Sequence, residues 1–229
     1  MLLIQESDSA KHLLAYGLRA LRQSAFHDTT RDPVMTMLSI GVEKLLKVAL
    51  GLFHVDAEGA WLSKQTLKNE YRHDLIRMES LLREKIRGNL DSATHRGFVD
   101  DLLAAVDGDP VWPPLLAALN RYGQEGRFYY LDALADNPQA QESPAAFWAE
   151  VDGAAMDNDE DLRALLNRSI QDFSLTDEFK KRLNAAAADS LQQWWELVAM
   201  AGTQNVMGRR GSSWGLDQGI IGRQVVEDD

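Results

Sequence analysis

Cysteine is absent from the 229 residues. That absence excludes disulfides, thiolate catalysis and cysteine-ligated zinc or iron–sulfur sites together, and it is compatible with a reducing compartment. Histidine is scarce as well: there are five, at His12, His27, His54, His73 and His95, and none further along. Neither an HExxH pair nor paired ExxH motifs occur, so no zinc-hydrolase helix or di-iron carboxylate bundle is expected. The phosphate-cradling GxxxxGK[ST] and GxGxxG loops and the GxSxG nucleophile elbow are missing too. Nothing in the sequence asks for a metal or a cofactor, and none is expected.

Long apolar runs are also lacking. No stretch approaches the ~18 to 20 residues needed to span a bilayer. The opening MLLIQESDSAKH has only a four-residue apolar start before its acids, which is not a signal peptide. The expectation is a soluble, cytoplasmic protein with no membrane partner. Basic residues are in the minority: 24 Lys and Arg stand against 35 Asp and Glu, a formal net charge of -11. Sequence-independent DNA binding depends on cations neutralising phosphates, so a field of this sign makes DNA an unlikely partner. A local basic pocket for RNA stays compatible with it.

What the chain does have is helical periodicity, with hardly any strand alternation. Leu14, Leu18, Leu21 and Ala25 recur at helical spacing and give a first helix one buried stripe. Asp32–Pro33 reads as an N-cap and first-turn proline opening a strongly apolar second helix, Val34 to Phe53. Its polar minority includes Glu43 and Lys47 at i,i+4 spacing, a surface helix pair. A third helix starts near Asp74 and carries Leu75, Met78, Leu82 and Ile86. A fourth carries His95, Phe98, Val99, Leu102, Leu103 and Val106.

Beyond the DGDPVWPP stretch, further helices are predicted with Pro113–Pro114 in a first turn, with Phe128, Leu131 and Leu134 in a short helix, and with Ser143–Pro144 at a start. The acidic run Met156 to Asp161 reads as a helix N-terminus rather than a calcium loop, since it lacks the glycine turn and distal glutamate. The last long helix should run from about Thr176 to about Met207, its adjacent Trp194 and Trp195 facing different sides. The fold class is therefore all-α, a helical bundle with additional C-terminal helices. Its expected organisation is a core over 1–108, packed C-terminal helices over 109–207 in the same fold unit, and a flexible glycine-rich tail over 208–229, with a two-lobed protein divided near residue 110 as the alternative.

Few residues carry chemistry. His73–Asp74 could serve a metal-dependent phosphohydrolase of the HD type only with a further upstream histidine and downstream aspartate, which the context does not supply. Arg127, Tyr129 and Tyr130 combine a guanidinium with aromatics and could stack on a base; the competing reading is the half-buried face of a short helix. Arg209, Arg210 and Arg223 could meet phosphates from the tail; the competing and favoured reading is a solubilising linker.

One wider resemblance covers roughly residues 10–106. Met37 to Leu52, MLSIGVEKLLKVALGL, followed by Arg72 to Met78, RHDLIRM, resembles the HEPN superfamily of small helical domains. Ser39, Glu43, Lys44, Leu46 and Lys47 match its S-x-x-x-E-K-x-L-K helix, and His73, Asp74 and Leu75 match the start of its next helix. The resemblance implies a prokaryotic toxin–antitoxin or phage-defence setting and a tendency to dimerise, with a homodimer or a protein partner expected. Active members are metal-independent endoribonucleases with an R-x(4–6)-H motif, in which arginine holds the phosphate and histidine moves a proton. Arg22 and His27 satisfy that spacing, but they precede the E-K-x-L-K helix instead of following it, and Gln23 stands where the family usually has Asn, Asp or His. The leading expectation is therefore a protein- or ligand-binding module, with His73, Asp74, Arg127, Tyr129 and Tyr130 as candidate binding residues. The alternative is an endoribonuclease acting through Arg22 and His27.

Overall fold

The computed structural model describes residues 2–23 and 27–227, with side chains throughout except at 27–29 and 220–227. The described residues form packed helices and no strand, so the chain is of the all-α class. In order they are α1 (Leu2–Gln23), α2 (His27–Glu58), α3 (Leu75–Gly88), α4 (Arg96–Asp107), α5 (Trp112–Gln124), α6 (Tyr129–Leu134), α7 (Pro144–Asn158), α8 (Glu160–Gln171), α9 (Thr176–Thr203) and α10 (Gly208–Glu227). None is long and apolar enough to cross a membrane among the described residues.

The helices belong to two compact units. One comprises Met1–Ala15, Ile40–Gly108 and Gln192–Asp229; the other comprises Tyr16–Ser39 and Asp109–Leu191. One division falls at residues 108 and 109, between α4 and α5, and the others fall inside α1, α2 and α9. A contiguous core over 1–108 is therefore not how the residues group.

In the first unit, Leu14, Val42, Leu45, Leu46, Leu75, Met78, Leu82, Ile86, Val99 and Leu103 are buried, each on the stripe its helical period predicts. Asp74 caps α3 by accepting a hydrogen bond from the Arg77 amide at 3.0 Å. The buried Glu79 is met by Arg83 at 2.6 Å, and Arg83 reaches on to Asp107 at 2.8 Å. Trp194 and Trp195 are both buried, so two sides of α9 are enclosed there. Lys11 is also buried, its ammonium shared between Asp8 at 3.3 Å and Asp217 at 3.1 Å. A buried cation needs such partners, because its hydration is lost.

The second unit buries Leu18, Leu21, Val34, Met35, Leu38, Trp112, Leu115, Leu119, Trp148 and Leu165. Ser143 caps α7 through the Ala146 amide, and Asp159 caps α8 through the Leu162 amide. Arg121 is buried too, donating to the Glu142 carbonyl at 2.9 Å and to Gln139 at 2.5 Å.

Two boundaries and one set of burials differ from the sequence expectation. The second helix begins at His27 and carries Pro33 in its interior. The missing proline N–H costs one helical bond, but Val34, Met35 and Leu38 immediately after it are fully buried. Thr36 and Tyr122 hydroxyls both donate to the Asp32 carbonyl, at 2.8 and 3.2 Å. Helix α9 stops at Thr203, before Asn205 at φ 68°. Phe98 is exposed instead of joining the buried stripe of α4, and Phe128, Leu131 and Leu134 are exposed as well. Ala25 lies outside the described residues.

The largest difference is the glycine-rich segment, which is helix α10 where a flexible tail is expected. Its order comes from the glycines. Gly208, Gly211, Gly215 and Gly219 recur at steps of three and four, a helical stripe with no side chains. A Cβ on Gly215 would stand 2.3 Å from the Thr203 amide nitrogen and 2.5 Å from the Ala199 carbonyl, so α10 backs directly onto the α9 backbone. Trp214, buried beside the stripe, donates to Ser7 at 3.0 Å.

Gly215→Ala is expected to destabilise the protein by about 1 to 3 kcal/mol, since the contacts it would violate are backbone atoms that cannot yield. Gly153→Ala is the opposite case: that glycine lies within α7 with nothing near its Cβ direction, and alanine should stabilise by about 0.5 to 1 kcal/mol. Chemical denaturation midpoints of the two variants, moving in opposite directions, check the reading. A pH test applies to Asp107. Burial alone would raise its carboxyl, but hydrogen bonds from Arg87 and Arg83 outweigh that and hold it below the ordinary 3.8. The stability this contributes is present above 3.8 and is lost as pH falls through the lowered value. Asp107→Asn should therefore lower the melting temperature at neutral pH, and the gap from the wild type should close in acid.

Candidate functional site

The segment joining α2 to α3 is shaped by a carboxylate and a strained turn. After α2, Thr66–Tyr71 form a π-helical turn, a rare wide winding that is frequent at functional sites. The Arg72 amide closes it on the Leu67 carbonyl at 3.1 Å, and the Asp74 amide then bonds the Tyr71 carbonyl at 3.0 Å. Arg72 sits at φ 48°, ψ −119°. Those angles match the first central position of a type II′ turn, where glycine is the usual residue. A non-glycine side chain there carries strain of about 1 to 3 kcal/mol, so its surroundings must over-determine it.

They do so through α2. Lys47 donates to the Arg72 carbonyl at 2.6 Å and to Glu43 one turn earlier at 2.6 Å. Glu43 also meets His73 Nδ1 at 3.0 Å. A carboxylate only accepts, so His73 carries its proton on Nδ1 and leaves Nε2 for another partner. Tyr71, beneath the turn, is buried; burial first and the Glu70 charge second push its phenol above the ordinary value, which keeps it neutral.

Lys47, Leu67, Lys68, Arg72 and His73 line an open cavity of about 510 Å³. Lys68, Arg72 and His73 are exposed and Lys47 is half-buried. Three fixed cations and a histidine thus share one cavity, with Glu43 the acid bonded into the cluster, in a chain of net charge -11. The arrangement is suited to holding an anion.

The other candidate residues fare differently. Asp74 has its carboxylate engaged as the α3 cap and serves the fold. Arg22 is ion-paired with Asp189 at 2.7 Å through one guanidinium nitrogen. His27 begins α2, but its side chain lies outside the described residues, as do residues 24–26 and the Arg223 side chain. Arg127 lies over the Phe128 ring at 5.0 Å, and Tyr129 and Tyr130 meet edge to face at 5.3 Å and 89°. Tyr130 is exposed and Tyr129 half-buried. Arg121 lies over Tyr129 at 5.9 Å, so that ring belongs to the packing of its own unit. Among the described residues no group of three or more His, Asp and Glu is placed to hold a metal ion.

Lys47, Lys68 and Arg72 were not among the candidate residues read from the sequence. The available signal was the helical phase of Lys47 beside Glu43, together with basic residues on both sides of the NEY stretch. No protein-family model, curated protein or solved structure matches the chain at a significant level.

Replacing Arg72 with glycine should raise stability by about 1 kcal/mol, because glycine adopts the turn conformation without strain. A rise in the denaturation midpoint of Arg72→Gly, against a fall for Asp74→Ala from loss of the cap, tests this account of the turn.

Proposed function

We propose that the chain is a HEPN-like helical binding module that takes a phosphate-bearing ligand in the Lys47–Lys68–Arg72–His73 cavity. The observation that carries the reading is the concentration of these cations around one cavity, against the overall charge of the chain. It lies on the two segments that carry the HEPN resemblance, the Glu43–Lys47 turn of α2 and the His73–Asp74 start of α3. The strained backbone of Arg72 supports it further, since strain of this kind persists where geometry serves a site. Arginine offers a planar fork to a phosphate, while the lysines act as point charges around it. A toxin–antitoxin or phage-defence setting suits a module that recognises a nucleotide without cleaving it. The ribonuclease alternative through Arg22 and His27 is disfavoured by the Arg22–Asp189 ion pair.

Isothermal titration of the full chain with inorganic pyrophosphate, and with a short 5′-phosphorylated oligoribonucleotide, tests the proposal. Binding should weaken at least about tenfold in Arg72→Gly, Lys47→Met and Lys68→Met, and should fall with rising salt. The Arg72→Gly result is the most telling, because the same substitution should stabilise the fold. Equal affinity in wild type and Arg72→Gly would sink the assignment. Metal-free RNA cleavage that disappears in both Arg22→Ala and His27→Ala would replace it with the nuclease reading.

A further inference from the structure

An open cavity of about 760 Å³ lies in the first unit, between α1 and α10. Two contacts set the register of those helices. The Trp214 indole N–H donates to the Ser7 hydroxyl at 3.0 Å, and one turn further along both helices Lys11 meets Asp217 at 3.1 Å. The contacts advance together, so the helices lie side by side and run in the same direction. About one turn before the Ser7–Trp214 bond, that register sets Leu3 and Ile4 of α1 opposite Arg209 and Arg210 of α10, and all four line the cavity.

The two walls differ in chemistry. Arg209 and Arg210 are exposed, and among the described residues no carboxylate pairs with either. Arg22, Arg83, Arg87 and Arg96, by contrast, each meet an aspartate. The acids of the cavity, Asp8 and Asp217, are both turned to Lys11. Facing the arginines, Leu3 is half-buried and Ile4 is 63% exposed, which leaves apolar surface in water. A pair of free guanidinium groups opposite apolar side chains is complementary to a molecule with an anionic head and an apolar body. Arginine takes an oxyanion in a bidentate fork, and the body would remove Leu3 and Ile4 from water. Asp8 and Asp217 repel surplus negative charge, so a carboxylate with one charge suits the site better than a phosphate with two. The volume falls in the range of about 300 to 1,000 Å³ usual for small-molecule sites.

We propose that the α1–α10 cavity binds a small monocarboxylate with an apolar chain, its carboxylate on Arg209 and Arg210 and its chain against Leu3 and Ile4. An anionic bilayer is a poorer occupant, because its flat charged surface would also meet Asp8 and Asp217. The site shares no residue with the basic cavity, and neither proposal needs the other.

The test is an NMR titration of the full chain, labelled with 13C at its isoleucine methyl groups. The Ile4 signal is the one absent from Ile4→Val, a conservative change at an exposed position. It should shift saturably with hexanoate. Acetate, which lacks the chain, and 1-hexanol, which lacks the charge, should each bind at least about tenfold more weakly. The double variant Arg209→Gln/Arg210→Gln should lose the preference for hexanoate over hexanol and keep the wild-type melting temperature, since both side chains are exposed. The comparison of the three probes on the wild-type chain stands whatever the variants do to folding. The proposal is overturned if the Ile4 signal does not respond saturably to hexanoate, if acetate or hexanol binds as tightly, or if the double variant keeps the preference. Cosedimentation with phosphatidylglycerol vesicles, with no response of Ile4 to free hexanoate, would replace it with a membrane-docking surface.

Discussion

The Glu43 carboxylate is the constraint from which the α2–α3 connection takes its form. It accepts from Lys47 within its own helix and from His73 across the turn, while Lys47 continues to the Arg72 carbonyl. Two side chains one helical turn apart thereby hold a backbone that would otherwise relax away from positive φ. The same contacts partly neutralise Lys47 and fix the His73 proton on Nδ1. The residues that give the turn its shape also give the cavity its charge.

That local charge runs against the global one. A net charge of -11 repels polyanions at long range, but the field falls off over a Debye length of about 8 Å at physiological salt. Close to Lys68 and Arg72, the nearest charges decide. On the proposed reading, such a surface would favour a small or terminal phosphate, which engages one cavity, over a long polyanion that meets the net negative charge as well. Selectivity for short anionic ligands would then come from the rest of the surface, and affinity from the cavity.

Much of the architecture was legible from apolar spacing. The buried faces of α2 and α3 and the Ser143–Pro144 start follow from rules that act within one or two turns. Two things escaped for physical reasons. Helix α10 is ordered by glycines, and a stripe defined by missing side chains is invisible to a search for hydrophobic ones. The basic cavity escaped because its members are spread from Lys47 to His73 and are gathered by a π-helical turn and a strained residue, neither of which has a reliable sequence signature. His73 was legible as a candidate binding residue, and it meets Glu43 of α2 at 3.0 Å. Arg22 was singled out by spacing alone, and its charge is engaged by Asp189, a residue far along the chain.

The two units interleave along the sequence, and this bears on the order in which the protein can form during synthesis. The second unit has all its segments once residue 191 has emerged, whereas the first still lacks the end of α9 and all of α10. Until then the faces that receive Trp194, Trp214 and the glycine stripe stay uncovered, and Lys11 lacks Asp217. A domain that completes only with its last segment folds late, and its apolar surfaces stay open to wrong partners in the interval. The glycine helix is therefore the closing piece of the first unit in time as well as in space.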